Sequence, residues 1–340
     1  MAAVMSTDQR REDLEILAKK KFNVRIQSIS YLAEDILAFE FVDPDGANLL
    51  PFTAGAHIDV HLPSGAIRQY SLCNDPTETH RYVVAVLREV KSRGGSAALH
   101  DEVRPGTELT ISQPRNHFAL SKSASRHVLL AGGIGVTPMM SMVAELTRRG
   151  EPFHLYYCTR SPIRTAFLPQ VMTLVEKGMA TVAHDNGNPE NGLVLDEVLT
   201  HYTPGNQLYY CGPAGFLDAV EAAAAHWPDE AKHCERFAVA PTDLNAAEPE
   251  AQTGFDIKLA STGETYHVEP GRTIVDVLFD NGVDIDVSCE EGYCGTCMTR
   301  YLAGHPEHRD TVLDAEDRQE FVMVCCARSK SESEPLVLDI

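Results

Sequence analysis

The sequence predicts a multidomain protein of three units in series: an antiparallel β-barrel, an α/β unit around a parallel sheet, and a small α+β unit. Three observations predict it. Over residues 22–123, short alternating segments such as "NVRIQSIS", "AHIDVHL", "YVVAVLRE" and "ELTISQ" are separated by Pro, Gly and Asp turns, the pattern of a small antiparallel barrel. Over residues 124–236, apolar strand-like runs "HVLLAGG", "FHLYYCT" and "QLYYCG" alternate with helical stretches "TPMMSMVAELTRRG" and "FLDAVEAAAAHW", the order of a parallel sheet with crossover helices. Over residues 254–340, strands "FDIKLAS", "ETYHVE" and "PLVLDI" and a helix "TIVDVLFDNG" surround the cysteine-rich loop "SCEEGYCGTC". Residues 237–253, rich in Pro, Ala, Thr and acidic side chains without periodicity, read as a linker. Residues 1–21 read as a tail or short polar helix, and no internal repeat is found.

At 340 residues with 44% hydrophobic and 23% charged side chains, the chain is long enough for several compact cores. No apolar run approaches the roughly 18 residues of a membrane span. The N-terminal stretch lacks the apolar core of a secretory signal, so a cytoplasmic protein with no membrane partner is expected. Nine cysteines in a reducing compartment point to metal or redox chemistry rather than disulfides. The net charge of −20 argues against nucleic acid or an anionic membrane as partner. That charge is uneven: residues 253–340 hold 18 Asp or Glu against 7 Lys or Arg.

Cys289, Cys294 and Cys297, with Cys325 further on, read C-x4-C-x2-C-x27-C, the spacing of plant-type [2Fe-2S] ligands. Gly292, Gly295 and the small Thr296 let the loop wrap tightly and aim amides at inorganic sulfur. Structural zinc is the alternative, but zinc sites usually present paired C-x2-C knuckles and only one stands here. Cys326 could compete with Cys325, yet consecutive residues of an extended segment point to opposite sides.

Other motifs carry ligand chemistry. In "RQYSLCND", Arg68, Gln69, Tyr70 and Ser71 combine a cation for phosphate, a flat aromatic and hydrogen-bonding groups, which an isoalloxazine ring requires; a surface Arg beside a strand Tyr is the plainer reading. Gly94 and Gly95 precede Ser96 at the apparent start of a helix, whose free amides suit an anion. In "LLAGGIGVTPMMSM", Gly133 and Gly135 would let a pyrophosphate approach the backbone, and Thr137 and Pro138 open a helix with Pro at a first position. The G-x-G-x-x-G fingerprint is absent, because Pro138 stands where its third glycine would be. "YYCGPAGFLDAV" repeats the strand–turn–helix style and puts Cys211, Gly212 and Pro213 at the same carboxyl edge of the sheet.

Together these segments resemble the ferredoxin-NADP reductase superfamily. The order barrel, nucleotide unit and C-terminal plant-type ferredoxin resembles the phthalate dioxygenase reductase and vanillate O-demethylase reductase family. The resemblance covers nearly everything after residue 22 and implies an FMN-binding barrel, an NAD-binding α/β domain and a β-grasp ferredoxin domain. It implies that Arg68, Tyr70 and Ser71 contact FMN, that Gly95 and Ser96 hold its phosphate, and that Cys325 is the fourth cluster ligand. Gly133, Gly135 and Thr137 would meet the pyridine nucleotide, and Cys211, Gly212 and Pro213 the nicotinamide side. Phe237 matches the aromatic that covers the flavin, with a plain core Phe as alternative; Ser71, Cys211 and Phe237 are thus the candidate catalytic residues. FAD-binding relatives usually carry Ser or Thr shortly after the Tyr-Ser pair, whereas Leu72, Cys73, Asn74 and Asp75 follow here, which favours FMN. The family favours NADH, although Arg160, Ser161 and Arg164 would welcome a 2′-phosphate.

The implied function is a monomeric NADH-dependent reductase that passes single electrons from NADH, via FMN and a [2Fe-2S] cluster, to a terminal Rieske-type aromatic oxygenase or demethylase with a basic docking patch. A haem monooxygenase as acceptor is the alternative, and a redox-sensing iron–sulfur regulatory protein is the alternative of another class. His57, His117, His154 and His184 show no catalytic spacing and are expected to be structural or solvated.

Overall fold

The computed structural model describes residues 21–89, 94–237, 253–285, 287, 292, 295–310, 312–313, 317–331 and 333–340. The tail and nearly all of the expected linker lie outside them. The chain divides into two compact units, one ending at Arg236 and one spanning Phe237–Ile340.

The first unit begins with β1 (Lys21–Ala33), β2 (Ile36–Val42), β3 (His57–His61), β4 (Ile67–Ser71), β5 (Tyr82–Leu87), α1 (Gly95–Glu102) and β6 (Glu108–Ser112). The sheet order is β4-β3-β6-β1-β2-β5, and every pairing is antiparallel. A bridge between Leu72 and Val84 brings the two outer strands together and closes the barrel. Phe39, Phe41, Ile58, Val84 and Ile111 fill the interior, and α1 plugs it with Leu99. Each such side chain contributes about 1.5–3 kcal/mol through burial.

The same unit continues with β7 (Arg126–Gly132), α2 (Val136–Arg149), β8 (Phe153–Thr159), α3 (Leu168–Glu176), β9 (Ala180–His184), α4 (Leu195–Leu199), β10 (Asn206–Cys211), α5 (Ala214–Ala223) and β11 (Lys232–Glu235). The order β11-β10-β7-β8-β9 is parallel throughout. From β7 the chain builds outward to β9, then returns to β10 on the other side. The strand order therefore reverses between β7 and β10, where a crevice opens at the carboxyl ends of such sheets. Helix α2 starts two residues earlier than the sequence suggests: its N-cap is Gly135, and Pro138 is third rather than first. Proline is tolerated there because first-turn amides have no partner within the helix.

Barrel and parallel sheet are joined within this unit. The Ser121 amide donates to the Tyr209 hydroxyl at 2.7 Å, and the Glu34 amide donates to the Ile163 carbonyl at 2.9 Å. Arg164 adds ion pairs to Glu34 at 2.8 Å and Asp35 at 3.3 Å.

The second unit contains β12 (Phe255–Leu259), β13 (Thr265–Val268), α6 (Ile274–Asp280), β14 (Met298–Ala303), β15 (Pro306–Glu307), β16 (Phe321–Met323), β17 (Arg328–Ser329) and β18 (Leu336–Leu338). Its main sheet runs β13-β12-β18-β14-β16, with β12 and β18 parallel and the other pairs antiparallel. Helix α6 opens on a capping box: the Thr273 hydroxyl accepts from the Asp276 amide at 3.0 Å, and the Asp276 carboxylate accepts from the Thr273 amide at 2.8 Å. Its inner face, Ile274, Val277 and Leu278, packs with Ile257, Val322 and Leu336, in the α+β arrangement of a grasp fold. Arg328 lies over the Phe255 ring and donates to the Arg272 and Thr253 carbonyls, tying the start of the unit to its end. Among the described residues no helix is long and apolar enough to cross a membrane.

Candidate functional site

Strand β4 carries the barrel's candidates. Arg68 folds back over the start of α1: a Cβ on Gly95 would meet the Arg68 side chain at 2.5–3.0 Å. Gly94 caps that helix in the left-handed region at φ 85°. The Arg68 side chain and the N-terminus of α1 thus converge, an arrangement whose chemistry suits an anion. The Ser96 hydroxyl accepts from the Glu89 amide at 3.1 Å, so it also shapes the preceding turn. Gln69 donates its side-chain amide to Asp59 at 3.0 Å, and Asp59 is paired with Arg115 at 2.5 Å. Burial opposes ionisation of Asp59, but Arg115 outweighs it and holds the carboxyl below its usual range. Burial, then Arg115, pushes neighbouring His57 down to about 3, so its ring stays neutral. The residues after Ser71 turn inward: Leu72 is fully buried, and Cys73 and Asn74 bond to the Val83 backbone.

The two glycine turns of the parallel sheet touch each other. A Cβ on Gly135 would overlap the Cys211 carbonyl and lie 2.7 Å from the Gly212 nitrogen, while one on Gly212 would meet Phe216 at 2.8 Å and Gly132 at 3.0 Å. Only glycine permits so close a backbone approach. Thr137 is buried and donates its hydroxyl to the Ile134 carbonyl at 3.0 Å, which fixes the turn. Pro213 is the N-cap of α5. Arg164 is engaged with Glu34 and Asp35 as described, whereas the Arg160 side chain is exposed.

Between these halves stands a residue that sequence reasoning missed. The Ser71 hydroxyl donates to the Glu235 carboxyl at 3.1 Å across 164 positions of chain, and Glu235 is the β-ladder partner of Cys211. Burial pushes the Glu235 carboxyl up to about 8, an effect that the Ser71 bond partly offsets. Burial, followed by Glu235 and Cys234, raises the Cys211 thiol well above its ordinary range. Ser71 and Cys211 are buried and Glu235 is half-buried, and both ionisable members of this polar group are pushed toward their protonated forms. Nothing local in "HCERF" marks this carboxylate; its signal appears only once β10 and β11 are known to pair. Phe237 is the first residue of the second unit, whereas the other three belong to the first.

In the second unit, Cys297 and Cys325 are buried in one core cluster, while Cys289 and Cys294 lie outside the described residues. Gly292, at φ 78°, sits so close to its surroundings that a Cβ would meet the Cys326 sulfur at 2.5 Å and Asp310 Cα at 3.2 Å. Among the described residues no three His, Cys, Asp or Glu side chains converge as metal ligands, which follows from two of the four loop cysteines being outside them. Two buried thiols, with Gly292 packed too closely for a side chain, fit a thiolate-bound cluster.

A closed antiparallel barrel, a parallel sheet with paired glycine turns, and a grasp unit with two buried cysteines are the architecture of an oxidoreductase of the reductase type. Residues 257–330 match the 2Fe-2S iron-sulfur cluster binding domain, and residues 110–231 match the N-terminal domain of dimethylamine monooxygenase subunit DmmA-like proteins. The chain is 45% identical to the tert-butanol monooxygenase / tert-amyl alcohol desaturase reductase subunit of Aquincola tertiaricarbonis, over 95% of this chain and 97% of that protein. It is also similar to the structure of phthalate dioxygenase reductase, described as a modular structure for electron transfer from pyridine nucleotides to [2Fe-2S]. That likeness has a TM-score of 0.71 at 39% identity and covers 97% of this chain and 99% of that one. An intact type IV self-sufficient cytochrome P450 monooxygenase matches with a TM-score of 0.84 at 33% identity, over 97% of this chain and 44% of that one. The chain belongs to the family of phthalate dioxygenase reductase and vanillate O-demethylase oxidoreductase, reductase components of oxygenase systems.

Proposed function

We propose that this protein takes hydride from NADH at an FMN bound to the barrel and delivers single electrons, through a [2Fe-2S] cluster, to a Rieske-type aromatic oxygenase or demethylase. Flavin would supply the conversion of a two-electron input to one-electron output, and the cluster the one-electron exit. The observation that carries the reading is the Ser71–Glu235 hydrogen bond. It joins the strand with the flavin-type motif to the sheet edge beside Cys211, at the reversal of strand order.

Each residue then has a task. Arg68 and the first amides of α1, with Gly94, Gly95 and Ser96, hold the phosphate; Tyr70 flanks the ring; Gln69 stiffens β4 through Asp59. The Ser71 hydroxyl, whose proton is given to Glu235, presents its oxygen as an acceptor for a ring N–H, and a protonated Glu235 behind it places no negative charge against the ring. Gly133, Gly135, Thr137 and Pro138 form the turn for the dinucleotide, with Cys211, Gly212 and Pro213 on its nicotinamide side and Phe237 as the aromatic cover. Cys289, Cys294, Cys297 and Cys325 hold the cluster. FMN is favoured over FAD because residues 72–74 face the barrel interior and offer no hydroxyl to a second phosphate. NADH is favoured because Arg164, one of two cations near the adenosine end, already serves Glu34 and Asp35.

The acidic second unit suits a basic patch on the acceptor, and the likeness to the P450 monooxygenase gives a haem acceptor the second place. The test is steady-state turnover with each nucleotide and each acceptor, after acid release and mass determination of the flavin. FMN, a larger kcat/KM for NADH and faster transfer to a purified Rieske oxygenase than to a P450 haem domain are expected. FAD, an NADPH preference or transfer to the haem alone would overturn the corresponding part.

A further inference from the structure

We propose that Asp310 and Arg318 set the reduction potential of the cluster in opposite senses, the carboxylate lowering it and the guanidinium raising it. The proposal rests on the reading that the cysteine loop holds a [2Fe-2S] cluster. The Asp310 side chain has no exposed surface. Its Oδ2 accepts from the Val312 amide at 3.2 Å and the Leu313 amide at 2.8 Å, closing the turn after β15. Oδ1 is buried and accepts no hydrogen bond among the described residues. Arg318 donates to the Asp310 backbone carbonyl at 3.0 Å, and its guanidinium comes to 3.7 Å from Oδ2 while remaining 41% exposed. His308 stands 3.7 Å from Oδ1, but burial lowers its affinity for a proton, so it is no countercharge. Arg309 turns outward to Glu307 at 2.9 Å.

The turn itself uses only one acceptor oxygen of Asp310. A neutral amide oxygen could accept both backbone amides, and leaving a buried carboxylate oxygen unbonded is costly. Asp310 packs against Gly292 of the cysteine loop: the point where a Gly292 Cβ would stand is 3.2 Å from Asp310 Cα, 3.4 Å from its Cβ and 2.5 Å from the sulfur of Cys326, the neighbour of Cys325. Reduction adds one negative charge to the cluster. A fixed anion close by in a poorly screened interior disfavours that addition, and a cation favours it.

The test is a spectroelectrochemical titration of the full-length holoprotein and its D310N and R318M variants, with the electron paramagnetic resonance of the reduced cluster and the iron and sulfide content followed in parallel. Asp310→Asn keeps the shape and an acceptor for both amides, so the charge is the main change. It should raise the midpoint, moving the oxidised-to-reduced ratio at a fixed potential by about threefold to tenfold, up to about 59 mV. R318M should lower the midpoint. A merely structural role would reduce iron content or melting temperature without opposite shifts. Unchanged midpoints, or shifts of the same sign, in cluster-containing variants would overturn the proposal. Should D310N fail to hold iron, R318M decides alone, and an unmoved midpoint there overturns it. A wild-type protein without iron and sulfide would instead overturn the cluster reading beneath it.

Discussion

Glu235 shows at the scale of one residue how burial, rather than residue type, sets chemistry. Loss of water around it pushes its folded carboxyl up to about 8, against about 4.5 for an ordinary glutamate. Between those values the native state holds a proton that the unfolded chain has released. Stability from this group is thus fully present below about pH 4.5 and is lost as pH rises through 8. Glu235→Gln can still accept from Ser71 and has no proton to lose. Its melting temperature should decline less than the wild type's between pH 5 and 8 and exceed it at pH 8, with a difference of order a few kcal/mol. Parallel melting profiles for the two proteins would show that Glu235 is ionised in the fold. The residue was not legible in the sequence, because its partner Ser71 is 164 positions away and a hydrogen bond over that distance leaves no local pattern. Asp310 was hidden too, since its closeness to Gly292, 18 positions earlier, leaves no local pattern. The cluster cysteines were legible because their spacing itself encodes the loop.

At the scale of elements, the alternating segments of the barrel and the apolar runs β7, β8 and β10 could be read directly, since period and turn residues are local properties. Strands β9 and β11, five and four residues long, were not read as strands, because they are too short to show a period and depend on their neighbours. The start of α2 was misplaced because Pro138 looked like a first position, whereas Gly135 and Val136 already turn as helix. The glycine turn itself was legible in kind, but its contact with the Cys211–Gly212 turn emerged only from the pairing of β7 with β10. That contact gives a prediction. Gly135→Ala would drive a methyl group into the Cys211–Gly212 backbone, which cannot yield without parting the two strands. The variant should retain its flavin, lose about 1–3 kcal/mol of stability and show a KM for NADH raised at least about tenfold, a loss of about 1.4 kcal/mol in binding. An unchanged KM, read by stopped-flow flavin bleaching, would mean that the dinucleotide does not use this turn.

The whole molecule is two units with separate cores, the first combining barrel and parallel sheet and the second holding the thiols. The order of the units was legible from composition shifts. The boundary inside the first unit is less sharp than the sequence suggests, because Ser71–Glu235, Ser121–Tyr209 and Arg164 with Glu34 and Asp35 all cross it. A chain of residues 1–240 should therefore fold, bind flavin and oxidise NADH with ferricyanide while failing to reduce the oxygenase; loss of flavin on truncation would make the second unit part of the first one's folding. The most direct test of the electron path is an anaerobic titration of the full-length protein with NADH, followed by visible absorbance. Flavin and iron–sulfur bands should bleach together and finish at about 1.5 NADH per chain, since the nucleotide gives two electrons, flavin takes two and the cluster one. Flavin bleaching that ends at about one NADH, with the iron–sulfur absorbance intact, would contradict it.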